Sequence, residues 1–220
     1  MRTKKFLISF SGIDGSGKTT LARSLTEELS KRGLKCQYIY GRLRPLVAQI
    51  FILAGRIFLK KKDKSFSEFS SDKRKFVKKH TLLSRIYMKV MLLDYLLQLF
   101  FKVTLPYMFG KNMICDRYVY DTIINDFAVD MGLSIFETSR LIERLFKVAP
   151  KPTIAFLIDV PEEIAFKRKS DIPSLDYLRE RRRLYLSIKD DFGILVLDGS
   201  KDLKEVKESL FKVLAELKIA

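Results

Sequence analysis

A chain of 220 residues, 47% of them hydrophobic with few glycines and prolines, is long enough to bury a full core and excludes a disordered tail or a low-complexity linker. Its 42 Lys and Arg against 26 Asp and Glu leave a net charge of +16, which favours an anionic partner, although a Lys-rich solvated surface gives the same number. Cys36 and Cys115 stand in separate apolar runs and read as buried free thiols of a reducing, cytoplasmic compartment, while the single His80, beside Lys78 and Lys79, excludes a His-built metal site or a Ser-His-Asp triad.

Basic Arg2, Lys4 and Lys5 precede an apolar run from Phe6 to Phe10, but that run has only strand length and leads straight into a glycine-rich loop, so it is not read as a cleaved leader. The loop is Gly12-Ile13-Asp14-Gly15-Ser16-Gly17-Lys18-Thr19-Thr20. From Lys18 to Arg32 the apolar positions Leu21, Leu25 and Leu29 share one helical face, and Gly33 supplies a stop. Strand, loop and helix thus arrive in the order a phosphate-binding loop needs. Its glycines let consecutive backbone N–H groups curl around a phosphate at a helix N-terminus, Lys18 reaches the β- and γ-phosphates, and the Thr19 hydroxyl ligates Mg²⁺. ATP and Mg²⁺ are the ligands this pattern predicts.

A second strand is expected at 35–40 and a helix at 45–59 that ends in Lys60, Lys61 and Lys62; 63–79, rich in Ser, Lys and Asp, reads as an exposed connection. Residues 82–108 read as one long or broken helix with Pro106 near its end. No transmembrane segment is expected, because 45–59 is too short and 87–109 carries Lys89, Asp94, Gln98, Lys102 and Pro106. Strands follow at 112–115, 153–158 and 194–197, with helices at 120–131, 134–147, 161–169, 177–190 and 203–217. This alternation predicts an α/β fold: one domain across 1–220, a five-stranded parallel sheet with helices on both faces, and ligands at the carboxyl ends of the strands.

Phosphoryl transfer needs positive charge on donor, acceptor and moving group more than it needs a strong base. Arg117, directly after the third strand, offers a planar fork to an acceptor phosphate, and Asp116 beside it either orients that fork or holds Mg²⁺ through water.

Four landmarks resemble the thymidylate kinase family. They are Phe10-Ser11-Gly12-Ile13-Asp14-Gly15-Ser16-Gly17-Lys18-Thr19-Thr20; Asp116-Arg117-Tyr118; Leu157-Ile158-Asp159-Val160-Pro161-Glu162-Glu163 with Ala165 and Arg168; and Val196-Leu197-Asp198-Gly199-Ser200. The resemblance implies a P-loop NTPase fold with a short helical lid at about 161–185, and transfer from ATP to a nucleoside monophosphate, dTMP above all. It also implies that Arg44, with Arg42 a close competitor, grips the acceptor phosphate, and that Asp14 orients the acceptor sugar. Some relatives carry a transition-state arginine inside the loop, but the equivalent positions here are Gly15 and Ser16. The missing charge is therefore expected from Arg168, with Lys167, Lys169 and Arg182 as alternatives. On the helix before the third strand, where relatives place an aromatic residue and an arginine for the base, this chain has Met91, Leu92, Asp94, Tyr95 and Leu96, which leaves Tyr95 to stack. A same-fold kinase of another nucleotide, a nucleoside or a sugar phosphate is the alternative reading, and a nucleotide-dependent membrane- or nucleic-acid-associated protein a further one; no nucleic-acid partner is expected. A homodimer through 87–109 is possible on the resemblance.

Overall fold

The computed structural model describes residues 5–43 and 81–217 of the chain, so Arg44, His80, the expected helix at 45–59 and the connection at 63–79 lie outside the described residues. Strand β1 (Leu7–Ser11) is buried along its whole length because it is the central strand, covered on both faces. It is flanked in parallel by β3 (Asn112–Asp116) and β4 (Ile154–Asp159), with Phe10 opposite Asp116 on one side and Phe156 on the other. Strand β2 (Cys36–Tyr40) closes one edge beside β3 and β5 (Leu195–Asp198) the other beside β4, giving the order β2-β3-β1-β4-β5. This is the five-stranded parallel sheet that the alternating pattern predicts. Cys36, expected buried, is only half-buried because an edge strand has one uncovered flank; Cys115, on β3, is buried, and both thiols are free.

Helix α1 (Lys18–Lys31) buries Leu21, Ala22, Leu25 and Leu29 against the sheet, and Gly33, with φ 81°, turns the chain out of it. Burial of side chains this size stabilises by roughly 1.5–3 kcal/mol each, so Leu25→Ala alone is expected to cost about 2–5 kcal/mol. Helix α2 (Thr81–Leu99) runs through a π-helical turn, Phe100–Thr104, into a last turn, Leu105–Met108. The Leu105 N–H reaches back to the Phe100 carbonyl, five residues away, just before Pro106, which has no N–H to give. The break in this helix is thus a widened turn and not a loop.

After β3 comes α3 (Val119–Thr122, then π-helical Ile123–Ala128, then Val129–Met131), ended by Gly132 at φ 65°. Helix α4 (Ile135–Leu145) starts at a capping box, with Glu137 N–H on Ser134 Oγ and Ser134 N–H on the Glu137 carboxylate. Helices α5 (Glu162–Arg168) and α6 (Leu175–Ile188) follow β4, and α7 (Leu203–Glu216), capped by Asp202, closes the chain. Helix α6 begins two residues earlier than its apolar pattern predicts because Ser174 Oγ accepts the Tyr177 N–H. The buried apolar residues of sheet and helices form one cluster, and no helix among the described residues is long and apolar enough to cross a membrane.

Candidate active site

The carboxyl ends of β1, β3 and β4 open on one cleft of about 340 Å³, lined by Asp14, Lys18, Thr19, Arg117, Arg168 and Lys169 together with Gly15, Gly17 and Thr20. Four cationic side chains face a single carboxylate there, which is a lining for an anion of high charge.

Local sequence sets each of these positions. At Gly15, φ is 83° and a Cβ would run into the Ala165 carbonyl of α5, so backbone meets backbone and no side chain fits. The loop interior therefore has no room for an arginine, and positive charge must come from the surrounding elements. A Cβ on Gly199, in the turn after β5, would lie 2.6 Å from Ile158 Cγ2 and 3.2 Å from the Ser16 carbonyl, so that turn sits against the loop's rear.

Lys18 is 4% exposed and folded onto its own loop, its amine donating to the Ile13 carbonyl at 2.6 Å and to Ser16 Oγ at 3.1 Å. Burial, with Arg117 nearby, brings its pKa down to about 7, although Asp121, Asp14 and Asp116 pull the other way. Thr19 Oγ1 donates to Asp116 Oδ2 at 2.6 Å, and the Tyr38 hydroxyl donates to the same oxygen at 2.8 Å. Asp116 Oδ1 is buried and has no hydrogen-bond partner. A hydroxyl and a carboxylate with an unused oxygen, beside a phosphate loop, fit the hard oxygen donors that Mg²⁺ takes, since that ion keeps waters and phosphates for its remaining positions.

Arg117 is the only described non-glycine residue with positive φ, at 69°. Its N–H bonds the Phe10 carbonyl at 2.9 Å, which ties the end of β3 to the end of β1 and turns the side chain toward the loop. Nη2 reaches Asp14 Oδ1 at 2.5 Å, and Nη1 lies 3.5 Å from Asp121 Oδ1. Burial alone would raise the Asp14 pKa, but the charges of Arg117, Lys18 and Lys169 outweigh it and hold the carboxyl at about 2. Burial likewise opposes the charge on Arg117, and the Asp121 and Asp14 carboxylates overcome it. Asp121 escapes reading from sequence. The available signal is a carboxylate one helical turn past Arg117, a spacing that ordinary surface pairs share.

Arg168 lines the cleft and donates to the Gly199 carbonyl at 2.8 Å. Arg182 is engaged elsewhere: its fork holds both oxygens of Asp159, at 2.7 and 2.9 Å, and Nη1 holds Glu162 at 2.8 Å. It clamps α6 to the end of β4 and to α5. Arg42 makes a similar fork with Asp126, at 2.6 and 3.1 Å. Tyr95, expected to stack on an acceptor base, is 1% exposed, donates its hydroxyl to the Gly41 carbonyl at 3.2 Å and is absent from the cleft lining. It belongs to the apolar face of α2 with Met91 and Leu99, where helical spacing puts core residues. Lys18, Thr19, Asp14, Asp116, Arg117 and Arg168 come together; Tyr95 stands apart, and Arg44 lies outside the described residues.

No protein-family model matches the chain. It is similar to a probable thymidylate kinase of Archaeoglobus fulgidus, with 31% identity over 94% of each chain, and to probable thymidylate kinase 1 of Saccharolobus solfataricus, with 30% identity over 94% of this chain and 96% of the relative. A thymidylate kinase of Leptospira borgpetersenii is 26% identical over 96% of this chain and 93% of its own.

Proposed function

The chain belongs to the thymidylate kinase family, and from that premise we propose that it moves the γ-phosphoryl group of ATP onto the phosphate of dTMP, giving ADP and dTDP. The observation that carries this reading is the convergence of Lys18, Arg117, Arg168 and Lys169 on one cleft at the strand ends, with Thr19 and Asp116 beside them. Two highly charged phosphate groups must meet there without water, and four cations, from the start of α1, the end of β3 and the end of α5, offset their repulsion.

In this reading the loop N–H groups and Lys18 hold the ATP phosphates, Lys18 exchanging the Ile13 carbonyl for phosphate oxygens. Thr19 and Asp116 would hold Mg²⁺, which supplies neutralisation of phosphate charge when bound. Arg117 grips the acceptor phosphate, and Asp14 steadies the guanidinium and then orients the acceptor sugar. The acceptor phosphate is already ionised, so no general base is required. Arg168, on α5 within the lid at about 161–185, brings charge to the moving phosphoryl group from the cleft wall it already lines. The whole chain, 1–220, acts as one P-loop kinase domain. Two free cysteines suit a cytoplasmic setting. Helix α2 leaves Leu93, Leu97, Phe101 and Met108 exposed on a helical stripe, Phe101 by 64% and Met108 by 67%, and a second copy of the chain covers it.

The test is ATP consumption with dTMP, dUMP, UMP, CMP and a sugar phosphate offered separately. Turnover greatest with dTMP supports the reading, and turnover greatest with any other acceptor contradicts it.

A further inference from the structure

Asp121 is a carboxylate with no exposure, inside the first turn of α3. A charge so buried persists only where partners surround it. Ser11 Oγ donates to its Oδ2 at 2.6 Å and the Tyr118 N–H to the same oxygen at 3.3 Å, while the Tyr185 hydroxyl donates to Oδ1 at 2.8 Å. Asn125 Nδ2 donates to that hydroxyl at 2.8 Å, which leaves the phenolic proton for Asp121. Arg117 Nη1, 3.5 Å from Oδ1, completes the shell. One buried carboxylate thus joins the residue before the phosphate loop, the arginine after β3 and helix α6.

The two carboxylates on Arg117 are not equivalent. Asp14 lines the cleft and takes the Nη2 edge; Asp121 lies behind the guanidinium and takes the Nη1 side. A phosphate dianion arriving through the cleft competes with Asp14 for Arg117 and leaves the rear contact in place. We propose that Asp121 is a positioning residue of the acceptor site, holding the Arg117 guanidinium from the core side and coupling that hold to α6 through the Tyr185 hydroxyl. This rests on the reading of Arg117 as the arginine that grips the acceptor phosphate. A guanidinium held this way meets the acceptor in one orientation and loses less freedom on binding.

The experiment compares wild type, Asp121→Asn and Tyr185→Phe in steady-state kinetics, varying dTMP and ATP separately, with thermal unfolding alongside. Asp121→Asn keeps the shape and removes the charge, and it is expected to raise the dTMP KM about tenfold or more with the ATP KM unchanged. Tyr185→Phe removes one donor and is expected to raise the dTMP KM about threefold or more, again without moving ATP. Equal changes in both Michaelis constants, or none, overturn the proposal and leave Asp121 a core polar group. Should Asp121→Asn not fold, Tyr185→Phe decides alone, a wild-type dTMP KM being the overturning result. Wild-type protein that spares dTMP marks a failure of the acceptor reading instead, and the same comparison is then made on the monophosphate it accepts.

Discussion

Arg168→Ala and Arg182→Ala are predicted to fail in opposite ways, and the structure sets the sizes. Arg182 makes three charge-assisted hydrogen bonds to Asp159 and Glu162, and its loss strips Asp159 at the end of β4 of its fork and leaves Glu162 at the start of α5 only the exposed Arg179, 3.9 Å away. Its side chain is one-quarter exposed, so water recovers part of that loss. About 1–3 kcal/mol remains, which lowers Tm by about 3–10 °C in a chain of this size. Arg168 gives one hydrogen bond to a backbone carbonyl in the free protein, and its removal is expected to leave Tm within about 2 °C. Its effect belongs to the transition state, where the loop interior at Gly15 offers no side chain: kcat falls up to about 10³-fold, while the affinities for ATP and dTMP change little. The assay pairs a thermal melt with turnover at saturating substrates for both variants. If Arg168→Ala turns over normally while Arg182→Ala keeps its Tm and loses turnover, α6 carries the charge and the assignment is wrong; if neither changes turnover, the lid supplies none.

Lys18→Ala is expected to reduce turnover by at least about 10²–10³-fold with an unchanged melt, and near-normal turnover in a folded variant would contradict the loop's role. Because burial holds the free Lys18 amine at about 7, and bound phosphates favour its charged form, ATP affinity is predicted to be full below that pH and to fall above it. The slope is at most about tenfold per pH unit, with net proton uptake on binding at about pH 8, read by calorimetry in two buffers; a pH-independent affinity without proton uptake refutes it. Arg117→Ala is expected to raise the dTMP KM far more than the ATP KM, and the reverse pattern in the same kinetics would reassign it to the donor side. Asp116→Asn is expected to raise the Mg²⁺ concentration for half-maximal turnover about tenfold, and an unaltered Mg²⁺ titration counts against the Thr19 and Asp116 site.

Much of the fold is legible because its signals are local. Strands β3 to β5 fall within one residue of the apolar runs that predict them, and α1 starts and stops at the glycine loop and Gly33, where φ must be positive. The catalytic candidates follow from motif chemistry for the same reason: Lys18 and Thr19 open the helix after the glycine loop, and Asp116 and Arg117 stand at the end of β3. What escaped depends on contacts between distant segments. Tyr185 and Asp121 are 64 residues apart in sequence, and nothing around either says that they meet. Arg182, an alternative to Arg168 on sequence, is set apart by its fork onto Asp159 and Glu162, which lie 23 and 20 residues away. Tyr95 presents the opposite difficulty. An aromatic residue at a helical core spacing has the same sequence signature whether it faces a ligand or a neighbouring strand, and here its hydroxyl ends on Gly41.

The central claim is the transfer itself, and following the label from γ-³²P ATP tests it most directly. Incubated with purified protein, Mg²⁺ and dTMP, the label is predicted to appear in dTDP, with Lys18→Ala giving none above background. Label released only as inorganic phosphate, or carried to dTDP equally well by Lys18→Ala, would contradict the account.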